Sequence, residues 1–447
     1  MTTIFIFICK CLTLACKIFG KLIGKQGTVF PGRVVNYFNN KVLYNLKYPK
    51  YVIGITGSSG KGSTVSMAAH IFNEAGMKVV WNKSGSNVRN GLTTLILNNT
   101  NMFTKKVNAD VILLEMDERY IDGLFKSGTL THLLITNVTR DQPARNIHPE
   151  VIFDKILSSI DDKVTLIINA DDPILNRVKY LHKGNIICYG IAKNKYSFTT
   201  TPSYAVDAAY CPKCHTKLKY NAYHYGHLGI YSCPKCDFER GKPKYEATDL
   251  DLNEGVFKIN GKGFKLNKKV FFAAYYTLAA YAVTSEAGVN KETIDKAINI
   301  DTPVSKRMKE YILDGRSIEM LESKNENSLS YLQSLNYIKN QKGKKTVIMG
   351  FENVSRRYKF NDLSWLWDVN FELLDDKDID KIFCIGRFKY DVATRLFYAG
   401  IPDDKIVLVE DLNNIWNLVK KDSNGHIYTM VCFDMTAILK KLLREAE

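Results

Sequence analysis

The sequence is short of proline, 11 in 447 residues, and its 28 glycines follow no repeat, so a collagen-like or low-complexity chain is excluded. Carboxylates are the second shortage: 46 Asp and Glu stand against 62 Lys and Arg, a net charge of +16. Such a surplus favours anionic partners, whether nucleotides, nucleic acid, acidic substrates or an anionic membrane surface, and does not choose among them. No stretch of about 18–20 residues is uninterruptedly apolar, which argues against a spanning helix. Nor are the ten cysteines spaced as a secreted disulfide framework. Four form two C-x-x-C pairs; the rest sit mostly in apolar surroundings, where cysteine acts as a small hydrophobe. That usage fits a reducing compartment, so the expected location is cytoplasmic.

What is present points to a globular protein. Hydrophobic residues make up 45% and charged residues 24%, which excludes disorder as the main state. The length suggests roughly three domains, each able to fold without disulfide staples.

Residues 1–24 are apolar but interrupted by Lys10, Lys17 and Lys21, with Lys25 next. At about 100° per residue these lysines share one narrow helix face. Charge that follows the apolar stretch is the wrong order for a secretory signal. We read residues 1–48 as a basic amphipathic segment. Either residues 1–25 lie on the inner face of the membrane near a lipid-linked substrate, or the helix packs on the first domain with its lysines outward.

From Tyr51 the pattern is an apolar strand, Tyr51–Thr56, a glycine loop, Gly57-Ser-Ser-Gly-Lys-Gly-Ser-Thr64, and a helical stretch, Val65–Ala75. Short apolar runs follow near residues 78–81, 111–114, 133–136, 164–169 and 185–189. Strands alternating with helical segments imply an α/β domain with a mostly parallel sheet. Residues 205–246 break this rhythm and read as a small insertion, after which the domain resumes with the helix Val270–Ala287. A linker, Asn299–Val304, leads to a second α/β region with runs near 346–349, 381–385, 405–409 and 426–432. The expected domains are therefore 49–302 and 303–447.

A glycine loop that opens a helix aims backbone N–H groups and the positive helix end at phosphates. Gly57 and Gly60 allow close approach, Lys61 would reach the terminal phosphates, and Ser63 or Thr64 would offer a hydroxyl to Mg²⁺. Leu114-Glu-Met-Asp-Glu118 ends a strand, where open α/β sheets bind ligands. Glu115 is the candidate Mg²⁺ ligand there, with Asp117 and Glu118 as alternates. Thr136–Gln142 and Asn169-Ala-Asp-Asp-Pro173 also follow strands, and alone each reads as an ordinary turn. Cys211-x2-Cys214-x18-Cys233-x2-Cys236 has the spacing of a tetrahedral Zn²⁺ ribbon; four thiolates leave no open position, so the metal would be structural. His215, His224 and His227 are expected to be exposed polar residues. A nucleic-acid partner is not expected, because Lys and Arg are scattered rather than clustered in the ribbon.

Together these motifs resemble the Mur ligases and folylpolyglutamate synthases. The loop Gly57, Ser58, Gly60, Lys61, Gly62, Ser63, Thr64 is similar to their ATP loop. Asn137 with Asp141, and Asn169–Pro173, stand where the superfamily carries T-N-x-x-x-D and N-A-D-D-P. Tyr275-Tyr-Thr-Leu-Ala-Ala280 resembles its Y-N-x-L-A-A helix start. Ser84-Gly-Ser-Asn87, the four-cysteine insertion and Trp365-Leu-Trp-Asp368 are most similar to the MurT type. The resemblance implies a central ATPase domain with a P-loop and an inserted four-cysteine zinc ribbon, then a C-terminal Rossmann-like domain. Only some fifty residues precede the loop, too few for the UDP-sugar domain of peptide-adding Mur ligases.

It further implies an ATP-dependent carboxylate–amine ligase of peptidoglycan or pseudomurein precursor synthesis. ATP would phosphorylate a stem-peptide glutamate, and ammonia from a GatD-like glutaminase partner would convert the acyl phosphate to an amide. Carried over, Lys61 holds the terminal phosphates, Ser63 and Glu115 the Mg²⁺ ions, and Asn137 and Asp141 line the nucleotide crevice. Arg307 matches the interdomain arginine, and Lys324-Asn325 a K-N pair. Asp362 is what remains of an acidic segment associated with glutaminase coupling, whose D-G pair is replaced by Lys359-Phe360. Ala144 likewise replaces an acid in the turn after Asp141. These departures suit a relative that adds an amino acid to a pseudomurein-type precursor without a glutaminase. A folylpolyglutamate-type ligase is a third reading, opposed by the ribbon and by Trp365–Asp368.

Overall fold

The computed structural model describes residues 2–23, 27–83, 85–141, 148–200, 202, 206–300, 308–324, 326–354 and 362–446. The chain divides into two compact units. The first is Met1–Val138, Glu150–Thr199 and Ala208–Val304; the second is Thr139–Pro149, Thr200–Asp207 and Ser305–Glu447. The boundary expected between 302 and 303 lies outside the described residues.

The first unit begins with helices α1 (Thr2–Ile23) and α2 (Phe30–Phe38). Then come β1 (Tyr51–Thr56), α3 (Lys61–Glu74), β2 (Val79–Trp81), α4 (Arg89–Asn98), β3 (Val111–Glu115), β4 (His132–Ile135), β5 (Thr165–Asn169) and β6 (Ile186–Ile191). An antiparallel hairpin, β7 (Lys219–Tyr225) and β8 (Leu228–Ser232), precedes β9 (Tyr245–Asp251), β10 (Val256–Ile259) and β11 (Lys262–Lys265). The main sheet runs β11-β10-β9-β6-β5-β4-β1-β3-β2, parallel from β9 to β2; at one edge β10 pairs antiparallel with β9 and β11 antiparallel with β10. Its central strands are buried almost throughout, the reason they read as continuous apolar runs rather than alternating ones. The order reverses at β1, which lies between β4 and β3. Ligands of open α/β sheets bind at the carboxyl ends of strands beside such a reversal.

Segment 1–48 is not set apart from this unit. Ile6 and Cys9 of α1, Val35 of α2, and Val42 and Leu43 share one core with β1 and β3. The insertion carries its own small core of Cys211, Leu218, Tyr231, Cys233 and Phe238. His224 and His227 correct the expectation of exposure: they are 4% and 1% exposed. His224 Nε2 lies 2.9 Å from the Ile191 carbonyl, and His227 Nε2 lies 3.2 Å from Asp172 Oδ1. Partners from distant parts of the chain make their burial tolerable. His215 is exposed.

The Asn169–Pro173 turn joins these parts. Asp171 is fully buried and accepts from Arg240 Nε at 2.6 Å, Tyr275 OH at 2.7 Å and Ile191 N at 2.8 Å. Arg240 belongs to the insertion and Tyr275 to the helix Phe271–Glu286. Asp172 accepts from Val138 N at 2.8 Å and Ile174 N at 2.9 Å, fixing both the turn and the end of the β4 loop.

The second unit holds β12 (Met308–Leu313), β13 (Arg316–Glu322), β14 (Lys345–Gly350), β15 (Ile379–Ile385), β16 (Ile406–Leu408) and β17 (His426–Val431). Their order is β12-β13-β17-β14-β15-β16; only β12 runs antiparallel. Trp365, part of the MurT-type resemblance, is a core residue, 2% exposed, with Tyr331 and Phe351 rings 4.9 and 5.8 Å away.

Removing Asp171 strands the Arg240 guanidinium in a site 12% exposed. Asp171→Ala is expected to cost about 3–5 kcal/mol, whereas exchanging both partners for apolar residues (Asp171→Leu with Arg240→Met) should recover much of that loss. Urea unfolding of the first unit, followed by circular dichroism, measures both.

Candidate active site

The glycine loop sits at the carboxyl end of β1, beside the reversal. Gly57 has φ +124° and Gly60 φ +84°. A Cβ on Gly57 would lie 2.3 Å from Thr136 Oγ1 and 2.7 Å from the Asn137 carbonyl, so the position admits no side chain. Gly60 caps α3 in the left-handed conformation. The end of β4 braces the loop: Ser58 N donates to Asn137 O at 2.9 Å, and Ser59 N to Asn137 Oδ1 at 3.1 Å. Asn137 Nδ2 and Thr136 Oγ1 both donate to Ser59 O, at 3.1 and 2.6 Å. Asn137 is thus a structural clamp on the loop, its side chain 5% exposed and bonded at both ends.

Lys61 and Gly62 form the first turn of α3. Lys61 Nζ donates to the Gly57 carbonyl and pairs with Glu118 Oε1 at 2.5 Å. Glu118, 4% exposed, is therefore the acid tied to the lysine. Glu115 takes a different place. Its Oε2 would lie 3.3 Å from a Cβ on Gly62, and Asn87 Nδ2 donates to its Oε1 at 3.2 Å. Asn82 bonds both backbone groups of Glu115, at 2.9 and 2.8 Å. The two acids thus flank the start of α3, one on the ammonium and one by Gly62. Thr64 is fully buried and its hydroxyl donates to Gly60 O at 3.0 Å, whereas Ser63 is only half-buried. Of the two hydroxyls at the helix start, Ser63 suits a cation better. Asp117 accepts from Arg119 N at 3.2 Å and shapes the turn after β3.

In the second unit Asp141, 4% exposed, accepts from Lys324 Nζ, and from Asn327 Nδ2 at 3.1 Å. Asn327 also caps the helix Ser328–Asn340 through Ser330 N at 2.7 Å. Arg140 Nε bonds Asp207 Oδ1 at 2.7 Å and its NH1 bonds Asp368 Oδ2 at 3.0 Å. Asp362 accepts from Ser364 N at 2.9 Å and is half-buried. Arg307, Ser84, Ala144, Asn325, Lys359 and Phe360 lie outside the described residues.

Sequence reasoning missed Glu326. It is 3% exposed, its φ is +57°, and its Oε1 has no hydrogen-bond partner among the described residues. Burial first, then the Asp141 and Asp362 carboxylates, push its carboxyl up to about 7, against the opposing pull of Lys324. A strained backbone with an unpaired buried acid marks functional positions more often than structural ones. Only its place two residues after Lys324 could have signalled it.

The four ribbon sulfurs lie within 4.8 Å of one another, with Cys211–Cys236 at 3.6 Å and Cys214–Cys233 at 3.4 Å. A tetrahedron of about 2.3 Å metal–sulfur bonds has edges of about 3.8 Å, so the set fits one four-coordinate ion.

Residues 55–210 match the Mur ligase middle domain and residues 324–436 the MurT ligase C-terminal domain. The chain belongs to the Mur ligase superfamily of ATP-dependent ligases. The lipid II isoglutaminyl synthase (glutamine-hydrolyzing) subunit MurT of Staphylococcus aureus strain N315 is 27% identical over 390 residues, 87% of this chain and 86% of that one. The same subunit from Streptococcus pneumoniae is 24% identical over 424 residues, 94% of this chain and 92% of that one. A pseudomurein peptide ligase type C from Methanothermus fervidus has the same fold, with a TM-score of 0.67 at 20% identity, covering 90% of this chain and 80% of that one.

The raised Glu326 carboxyl gives a signed prediction. A group that holds its proton more tightly in the fold adds stability below its unfolded value of 4.5, and that stability is lost as pH rises through about 7. Glu326→Gln is expected to match the parent in thermal midpoint near pH 5 and to exceed it at pH 8. A midpoint difference independent of pH would show that Glu326 does not titrate in this window.

Proposed function

We propose that the chain is a MurT-like ligase that activates a stem-peptide carboxylate of a cell-wall precursor with ATP and converts it to an amide, in the cytoplasm. The observation that carries this reading is the braced loop with Lys61 at the head of α3. It provides a phosphate cradle at the strand reversal, with Glu115 and Glu118 at its edge.

Backbone N–H groups of the loop and the α3 N-terminus would receive the nucleotide phosphates. Lys61 exchanges its Glu118 partner for phosphate oxygens, which keeps its ammonium paired throughout. Ser63 and Glu115 are the residues that would hold Mg²⁺, and both donors are oxygens of the kind that ion takes. Bound there, the ion supplies charge neutralisation to the transferred phosphoryl group. The substrate carboxylate oxygen attacks the γ-phosphorus, ADP leaves, and an acyl phosphate results. A neutral amine then attacks the acyl carbon, phosphate leaves with the C–O bond pair, and a proton is lost from nitrogen. Arg307 is assigned to the nucleotide by resemblance alone.

The MurT relatives, subunits of a glutamine-hydrolyzing synthase, favour ammonia as the nucleophile and a glutaminase partner of the GatD type. Replacement of the D-G pair by Lys359-Phe360 favours the second reading, in which an amino acid is joined to a pseudomurein-type precursor without that partner.

Product mass decides between them. The purified chain is incubated with Mg-ATP, ammonium, amino acids and a pool of precursors, with and without a GatD-type glutaminase and glutamine. A carboxyl-to-amide change supports the first reading and an added residue the second. ATP turnover with no change in any precursor would remove both. Lys61→Ala is expected to lower turnover by on the order of 100-fold or more.

We assign Zn²⁺ to the four ribbon cysteines as a structural ion. Elemental analysis should find about one zinc per chain. Cys233→Ser should lower both the zinc content and the thermal midpoint, and a zinc-free chain with an unchanged midpoint would refute the assignment.

A further inference from the structure

The outer face of α1 and α2 does not fit a surface that stays in water. On α1, Ile4, Phe7, Leu14 and Ile18 are each more than half exposed. With exposed Cys11 they fall at steps of three, four, three and four, so they form one unbroken line along the helix. The opposite face is fixed. Ile6 and Cys9 are fully buried in the core of the first unit, and Asn98 Nδ2 of α4 donates to Thr13 Oγ1 at 3.0 Å. On α2, which packs beside α1, Tyr37 and Phe38 are 84% and 71% exposed, while Val35 is buried. Soluble surfaces rarely carry so concentrated an apolar stripe without a partner.

Charge identifies the partner. The first carboxylate side chain in the sequence is Glu74, and residues 1–50 hold seven lysines and one arginine. Half of the +16 surplus therefore lies in about a ninth of the chain. α4, which packs against α1 and α2, also has no acid. Lys17 on α1 and Arg33 on α2 are exposed, as are Lys41 and Lys47 in the segment that follows. A second copy of the same face would set like charge against like charge. An anionic bilayer answers both features, with acyl chains for the stripe and headgroup phosphates for the cations.

We infer that α1 and α2 form a monotopic membrane-docking surface, with α1 lying in the plane of an anionic bilayer. The helix segment Thr2–Phe19 is long and apolar enough to cross a membrane by length and composition. A spanning pose would tear Ile6 and Cys9 from the core, carry Thr13 into hydrocarbon and leave Asn98 Nδ2 without its partner on α1. In the in-plane pose Tyr37 and Phe38 sit at headgroup depth, where aromatic rings are favoured. The inference does not depend on which precursor the ligase uses.

Flotation of the full chain with vesicles tests it. Binding is expected to vesicles of equal parts phosphatidylglycerol and phosphatidylcholine at about 0.1 M salt, and to be weakened by neutral lipid or by about 0.5 M salt. Leu14→Glu with Ile18→Glu should lower binding at least about tenfold, because two charges enter the apolar layer. Lys17→Glu with Arg33→Glu leaves the stripe intact and should lower binding to anionic vesicles only. Phe7→Trp keeps the apolar face, and its emission should shift to the blue and be quenched by brominated lipid. No flotation at low salt, or flotation undiminished in the Leu14/Ile18 variant, overturns the proposal. So does a salt-stable dimer in the absence of lipid that the same variant dissociates. Retention in membranes after alkaline carbonate extraction would instead establish a spanning helix and overturn the in-plane pose. Circular dichroism and ATP turnover show whether each variant is folded.

Discussion

A single buried carboxylate, Asp171, ties together three stretches of chain that are far apart in sequence. The end of β5 supplies it, the insertion supplies Arg240, and the helix Phe271–Glu286 supplies Tyr275. Each partner alone would be an unpaired polar group in a dry site, and together they satisfy one another. Burial pulls the Arg240 guanidinium down, but the Asp171 charge and hydrogen bond, with Glu246 and Tyr275, raise it above its ordinary value. Two motifs that look separate in the sequence, Asn169–Pro173 and Tyr275–Ala280, are therefore two halves of one contact. Asp172, next along the turn, reaches back to Val138 N and holds the exit of β4. The ATP loop leans on that exit through Thr136 and Asn137, so the rigidity of the phosphate cradle traces back to the turn after β5.

The loop itself is built before any nucleotide arrives. Its backbone groups are held by Gly57, Gly60 and the Asn137 clamp, and in the proposed reaction only the Lys61 head changes partner. Exchanging Glu118 for phosphate swaps one anion for another, which avoids burying a bare ammonium. The start of α3 separates Glu115 from Glu118, so the acid we assign to a cation is not the one paired with the lysine.

The parallel strands were legible because central strands are buried on both faces and leave long apolar runs. The ATP loop was legible because its glycines answer to backbone geometry, which leaves a mark in local sequence. Residues whose roles depend on distant partners were not. His224 and His227 look like surface residues in a polar insertion, yet Ile191 O and Asp172 draw them inside. Thr64 looks like a second cation ligand until the Gly60 carbonyl takes its hydroxyl. At Glu326 only the nearby Lys324 hints at a role, because the surroundings that raise its carboxyl come from burial and from Asp141 and Asp362. The basic character of the first helix is plain in its lysines, but its outward apolar line follows from which face α2 and α4 cover.

The second unit is not one continuous piece of chain. Arg140, which bonds Asp368, and Asp207, which bonds Arg140, come from two short excursions out of the sequence range of the first unit. A gene cut at the linker near residue 303 would therefore yield a carboxyl-terminal fragment lacking the partner of Asp368. It would also lack Asp141, against which Lys324 and Asn327 are set. Recombination between relatives at that linker meets the same obstacle. The two halves of this ligase can be exchanged as modules only if residues 139–149 and 200–207 travel with the carboxyl-terminal half, which makes the pair of units one hereditary unit.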